Sequence, residues 1–214
     1  HAVPKVIDFG IAKATDQRLT ERAMFTRQGL LVGTPEYMSP EQAALGAVDL
    51  DTRTDVYSLG VMLYELLVGS LPLPPTRLRE AGYSELVRII REEEPMRPST
   101  RLTTAGKMAY DVAAHRHTKA PTLTQELRGD LDWITLKALE KDRRRRYAAV
   151  SEFAADLTRY LADEPVVARP PSVTYRVQKF VRRNRLAVTT ASIVALAVIA
   201  GLVTSSVLYV RAER

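Results

Sequence analysis

The sequence predicts a mainly α-helical globular region followed by a single transmembrane helix. Apolar residues recur at helical spacing through the middle of the chain, glycine and proline cut it into segments, and no residue of 186–210 carries a charge. The 214 residues suffice for one good-sized domain plus an appendage, and 46% hydrophobic residues suffice for its core.

Two bulk properties narrow the function. The absence of cysteine excludes disulfides and thiolate metal sites. The net charge of +6 raises nucleic acid as a partner, but the basic residues gather at 143–146 and 169–185, ahead of the apolar run, so membrane lipids are expected and nucleic acid is not. Position 1 is not methionine, and His1-Ala2-Val3-Pro4 runs straight into a strand pattern, so the start is expected to be a cut through a longer chain.

Lys5-Val6-Ile7 reads as a short buried strand, ending in the carboxylate of Asp8, the ring of Phe9 and Gly10, which is free to turn. Residues 11–32, rich in Thr, Arg and Gln, show no apolar period. Ser39, with Pro40 next and Gln42 three residues on, has the form of an N-cap with a capping box, so a short helix is expected there. Glu41 is then either a first-turn acid favoured by the helix dipole or the partner of a distant arginine. Thr52 with Asp55 marks a second helix start, and Gly69 with Pro72 its stop. Between them Val56, Leu59, Val61, Met62, Leu63, Leu66, Leu67 and Val68 leave almost no polar face, which predicts a helix surrounded by protein.

Residues 72–128 are more polar and interrupted by Pro95, Pro98 and Pro121, with helices expected around 83–93 and 105–117 and His115 and His117 at the surface. Two amphipathic helices follow, through Leu131, Ile134, Leu136 and Leu139 and through Phe153, Leu157, Tyr160 and Leu161. Pro165, Pro170 and Pro171 break this pattern, so 163–185 reads as a basic juxtamembrane linker. At ~1.5 Å per residue, 186–210 exceeds the ~30 Å bilayer core. A buried core helix is the competing reading, whereas its place after the globular region excludes a signal peptide. Lys179, Arg182, Arg183 and Arg185 before the run outweigh Arg211 and Arg214 after it, which puts the globular part in the cytoplasm. Ala197, Gly201 and Ser205 form one small-residue face on which two copies could pair as a homodimer. Residues 211–214 are the stub of a following region.

In order and spacing, Asp8-Phe9-Gly10, the run from Gly33-Thr34-Pro35-Glu36-Tyr37 to Met38-Ser39-Pro40-Glu41-Gln42, and Asp55-Val56-Tyr57-Ser58-Leu59-Gly60 resemble the second half of the protein kinase signature set. Ser39-Pro40-Glu41 stands where Ala-Pro-Glu is usual. The resemblance covers about 1–162 and is to the bacterial serine/threonine kinases that resemble eukaryotic ones and carry a span after the kinase domain. It implies a protein kinase-like fold of which only the helical C-lobe is present, with 8–41 as activation loop, anchored in the inner membrane.

The resemblance also implies roles. Asp8 matches the aspartate that holds Mg²⁺ against the ATP phosphates, with Phe9 and Gly10 beside it in the cofactor-binding segment. Glu41 matches the glutamate that pairs with a late arginine. Arg146 fills that place, although Arg143 stands where proline is usual. Asp55 matches the residue that braces the catalytic loop, a plain first-turn acid being the alternative, and Tyr57 replaces the common tryptophan. Thr26 and then Thr20 match regulatory phosphorylation sites, unless they are ordinary polar loop residues, and Thr34 matches the threonine beside the substrate loop of serine/threonine kinases.

The implied function is transfer of the ATP γ-phosphate to serine or threonine of protein substrates in signalling. The Gly-rich loop, the strand lysine and the His-Arg-Asp catalytic loop are not found, and His1 is not followed by Arg-Asp, so no catalytic residue is assigned and the 214 residues are expected to be inactive by themselves. The alternative is a kinase-like membrane scaffold without catalysis.

Overall fold

The computed structural model describes residues 34–44 and 51–212, less the side chains of 203, 204 and 206–210. Among the described residues there are helices and turns and no strand. The strand expected before Asp8 lies outside them. The chain divides into two compact units, His1–Ala155 and Asp156–Arg214.

The first unit is built on α2 (Thr52–Val68), preceded by a short 3₁₀ turn at Pro35–Tyr37 and by α1 (Pro40–Ala43). Its N-cap is Asp51, whose carboxylate accepts the Arg53 N–H at 2.8 Å, and not Thr52, which is the first helical residue. Asp accepts as good a cap bond as Thr, and one residue of shift is within the ambiguity of cap patterns. At the other end Gly69, at φ 75°, takes the left-handed conformation that closes the helix, donating its N–H to the Glu65 carbonyl at 2.7 Å.

After α2 come α3 (Pro75–Glu80), α4 (Tyr83–Glu92), α5 (Pro98–Thr104), α6 (Lys107–His115), α7 (Ala120–Leu127) and α8 (Asp130–Ala138). The segment expected to be broken by proline is thus a set of short helices, because Pro75, Pro98 and Pro121 each sit in a first turn, where the missing N–H costs nothing. The core joins α2 (Val56, Val61, Tyr64, Val68) to α5 (Leu102), α7 (Leu123, Leu127) and α8 (Ile134, Ala138), all buried. The α2–α8 approach is so close that a Cβ on Gly60 would lie 2.8 Å from the Ala138 Cβ. Buried Asp132 of α8 accepts both the Ser99 N–H (2.9 Å) and the Ser99 hydroxyl (2.7 Å), pinning the start of α5. The expectation that α2 is covered all round needs correcting: Met62 and Leu66 are 49% and 69% exposed, one turn apart on a single open stripe. An apolar composition fixes that a helix is mostly buried and not which turn is left open. His115 and His117 are exposed.

The helix α9 (Val150–Leu161) runs into the second unit. There the chain turns at Asp163, at φ 55°, and the 163–185 stretch holds a helix that its prolines concealed, α10 (Val173–Arg183). Fully buried Asp156 accepts the N–H groups of Val167 (2.7 Å) and Ala168 (2.8 Å). The Tyr175 hydroxyl accepts the Val166 N–H at 3.1 Å. Asn184 separates α10 from α11 (Arg185–Ala212), whose 28 residues reach about 42 Å at ~1.5 Å each. Its apolar window Arg185–Leu202 is wholly unburied. A core helix would be mostly covered, so this exposure weighs against the competing reading. Ala197, Gly201 and Ser205 lie on α11 and are exposed.

Candidate functional site

The residues singled out by sequence converge on the segment 34–44 and its supports. Ser39 is fully buried and caps α1 as a capping box: its hydroxyl accepts the Gln42 N–H at 3.4 Å, and Gln42 Oε1 accepts the Ser39 N–H at 2.9 Å. Pro40 sets the first helical φ, and Glu41 is thereby aimed from the first turn into the interior.

There it meets Arg146, 105 residues later, in a two-pronged pair: Nη1 to Oε1 at 2.7 Å and Nη2 to Oε2 at 2.8 Å. The guanidinium also donates from Nε to the Glu140 carbonyl (2.7 Å), from Nη1 to that of Arg53 (3.0 Å) and from Nη2 to that of Lys141 (3.3 Å). All five N–H donors of the arginine are therefore used, which is what a charge with a 0% exposed side chain requires. Its face lies over the ring of Tyr57, 5.0 Å from the centroid. The tyrosine that stands in place of tryptophan thus still supplies an aromatic floor, and burial pushes its phenol pKa up. Glu41 Oε1 accepts a further bond from the Thr54 hydroxyl at 3.0 Å. Burial works to raise the Glu41 pKa, yet the hydrogen bonds and charge of Arg146, helped by Thr54, hold it below the ordinary carboxylate value. Close by, Lys141 donates to the Ile90 carbonyl at 2.7 Å, and desolvation pulls its pKa down to about 8.

Four more ties fix the same segment. Buried Glu36 accepts from Arg79 Nε at 2.7 Å. The Tyr37 hydroxyl donates to Glu65 at 2.5 Å, and this bond to a carboxylate, with some burial, raises its pKa to about 12. Ser58 donates to the Tyr37 carbonyl at 3.0 Å, and Tyr83 to that of Ala43 at 3.0 Å. Beneath lie Ala43, Leu73, Leu78, Leu86, Ile89 and Ile90. Thr34 opens the segment, exposed, with its side chain capping nothing. Asp55 stands exposed in the first turn of α2. Asp8, Phe9, Gly10, Thr20 and Thr26 lie outside the described residues.

A protein kinase domain model matches residues 1–159. The chain belongs to the protein kinase family. It is 35% identical over 161 residues to the serine/threonine-protein kinase PknB of Mycobacterium leprae and, equally, to that of Mycobacterium tuberculosis, covering 75% of this chain and 21% of each relative. It is 35% identical over 172 residues to the serine/threonine-protein kinase pkn3 of Myxococcus xanthus, covering 75% of this chain and 29% of the relative. The chain therefore spans between about a fifth and three tenths of the length of these curated relatives. The helical first unit is the C-lobe part of a bacterial, eukaryotic-like serine/threonine kinase fold.

Sequence reasoning missed Thr54, Arg79 and Glu65. Each is a polar residue whose partner lies far along the chain, and no local pattern announces such pairings. The kinase family implies ATP and a divalent metal. Among the described residues no three of His, Asp and Glu come together as a metal site, so those residues do not themselves fit that group. The described geometry holds the 34–44 segment in one conformation.

Proposed function

We propose that this chain is the activation segment and helical lobe, 1–162, of a serine/threonine protein kinase that transfers the ATP γ-phosphate to protein substrates in signalling. On this reading 163–185 joins the kinase to a span at 186–210, with 211–214 opening a further region and the kinase facing the cytoplasm at the inner membrane. The observation that carries it is the fixing of Thr34–Ala44 by Glu41 and Arg146 with all five arginine donors satisfied. A segment held by five separate ties is suited to presenting the exposed Thr34 edge to a substrate hydroxyl in one geometry. Asp8 is the residue that would hold Mg²⁺ shared with ATP, which neutralises charge on the phosphates. Thr26, then Thr20, would accept regulatory phosphate, and Asp55 would brace the catalytic loop. The small-residue face of α11 would allow a homodimer. The apolar window Arg185–Leu202 of α11, unburied, with Arg211 in the last turn of the same helix, supports the membrane anchor.

The test is transfer of labelled γ-phosphate by three proteins: the complete protein that contains this chain, the same with Asp8→Asn, and the 214 residues by themselves. Transfer is expected from the first only. No transfer from the first makes the scaffold reading correct; full activity of Asp8→Asn removes the metal role; transfer by the 214 residues removes the expectation that they lack the catalytic base.

A further inference from the structure

The helix α10 is amphipathic the wrong way round for a soluble protein. Tyr175 and Lys179, four residues apart, turn inward: each is nearly buried, and Lys179 Nζ lies 3.8 Å from Asp163 and 5.8 Å from the centroid of the Tyr160 ring. The apolar side chains turn outward. Val173, Val177, Phe180 and Val181 are 80%, 55%, 56% and 40% exposed, and their spacing of four, three and one sets them on one stripe opposite the inward face. Arg176 and Arg183 border that stripe, exposed, Arg183 in an open pair with Glu164 at 3.1 Å, and α10 itself contains no acid. An ordinary surface helix buries its apolar stripe and hydrates its polar one. Here four large apolar side chains are left to an outside partner.

Two observations say what that partner is. Asn184 alone separates α10 from α11, whose apolar window Arg185–Leu202 is unburied, so if α11 crosses a bilayer, the C-terminal end of α10 lies at its surface. The stripe is bordered by Arg176 and Arg183, with Arg185 close by, and the Arg183 pair with Glu164 is exposed and so free to exchange for a phosphate, which suits lipid phosphates and disfavours a second copy, since that would bring two arginine sets together. We infer that α10 is an interfacial helix, with Val173, Val177, Phe180 and Val181 sunk at the headgroup–acyl boundary of an anionic bilayer and Arg176 and Arg183 reaching the phosphates. The inference rests on α11 spanning the membrane. Docking beside an existing anchor is intramolecular, so a stripe of four side chains, too small to recruit a soluble protein, suffices.

The chain has no cysteine, so a single introduced one is the sole label site. The chain is reconstituted into phosphatidylcholine vesicles, with and without phosphatidylglycerol, containing brominated acyl chains. A fluorophore is placed in turn on Val177→Cys, Phe180→Cys, Gln178→Cys and, as a control for the span, Ile193→Cys. Quenching at 177 and 180 about twofold or more above that at 178 is expected in anionic vesicles, falling toward the 178 level in pure phosphatidylcholine or with Arg176→Gln and Arg183→Gln combined. Equal quenching at 177, 178 and 180 with strong quenching at 193 overturns the inference and leaves the span standing. No quenching at 193 removes the span and the inference together. Disulfide formation between copies at Val177→Cys, without lipid quenching, assigns the stripe to a second copy and also overturns it.

Discussion

Glu41 with Arg146 and Glu164 with Arg183 are chemically the same pair, a carboxylate and a guanidinium at 2.7 Å and 3.1 Å, set in two different surroundings. The side chains of the first pair are 7% and 0% exposed, and those of the second 45% and 49%. Water can replace either partner of the second pair. It can replace neither partner of the first, and there every donor of the arginine has its own acceptor. A buried pair of this kind adds little over apolar residues of equal shape, but it is costly to break by halves. Its contribution is therefore geometric, holding the 34–44 segment in one place. The exposed pair constrains little.

The largest expected effect follows from removing one member of the buried pair. Glu41→Ala or Arg146→Ala should cost about 3–5 kcal/mol, because each leaves a buried charge without its partner. The measurement is chemical unfolding in detergent followed by the fluorescence of Trp133, the only tryptophan. Glu41→Leu with Arg146→Met should cost much less than the sum of the single losses. Acid should act in the same direction. The folded Glu41 pKa is depressed, so its contribution is complete above the ordinary value near 4.5 and is lost as pH falls through the lower folded value. Unfolding midpoints at about pH 7 and about pH 3 should differ less for Glu41→Gln than for the unaltered chain. Single variants no more costly than a surface pair would erase the contrast between the two sites.

Next in size is Gly60. Alanine is the better helix former by ~1 kcal/mol, so on propensity alone Gly60→Ala should stabilise α2. The new Cβ would lie 2.8 Å from the Ala138 Cβ and 3.4 Å from its carbonyl carbon, and neither atom belongs to a flexible side-chain end. Overpacking at about 1–3 kcal/mol therefore outweighs propensity, and a net loss is expected. Adding Ala138→Gly should recover part of it; a Gly60→Ala chain as stable as the original would mean that α2 and α8 separate at little cost.

How far the sequence could be read differs between the two regions for a physical reason. Ser39, Pro40 and Gln42 act on each other within one turn, so the capping box is written locally, as is the left-handed stop at Gly69. The meeting of Glu41 with Arg146 follows in the sequence only from family resemblance, and the Thr54, Arg79 and Glu65 ties from nothing at all, because tertiary packing chooses those partners. The helix α10 escaped notice because Pro165, Pro170 and Pro171 precede it and its inward positions, Tyr175 and Lys179, are not apolar. A search for apolar stripes facing a core finds nothing there, since the stripe faces out.

The smallest effect belongs to the exposed pair, and it separates the two regions most sharply. Glu164→Gln should weaken α10 by at most about 1 kcal/mol, read as faster amide exchange along that helix. Arg183→Gln should cost slightly more, because Arg183 lies in the last turn of α10 and also favours the negative end of the helix dipole. Salt decides whether this account is right. At about 1 M salt the screening length is near 3 Å, which should abolish the difference between Glu164→Gln and the unaltered chain. The penalty of Glu41→Ala should persist in the same solution, since no ion reaches a pair buried among backbone carbonyls. A loss at Glu164 that salt leaves intact would mean that water is excluded there too, and the two sites would have to be treated as one kind.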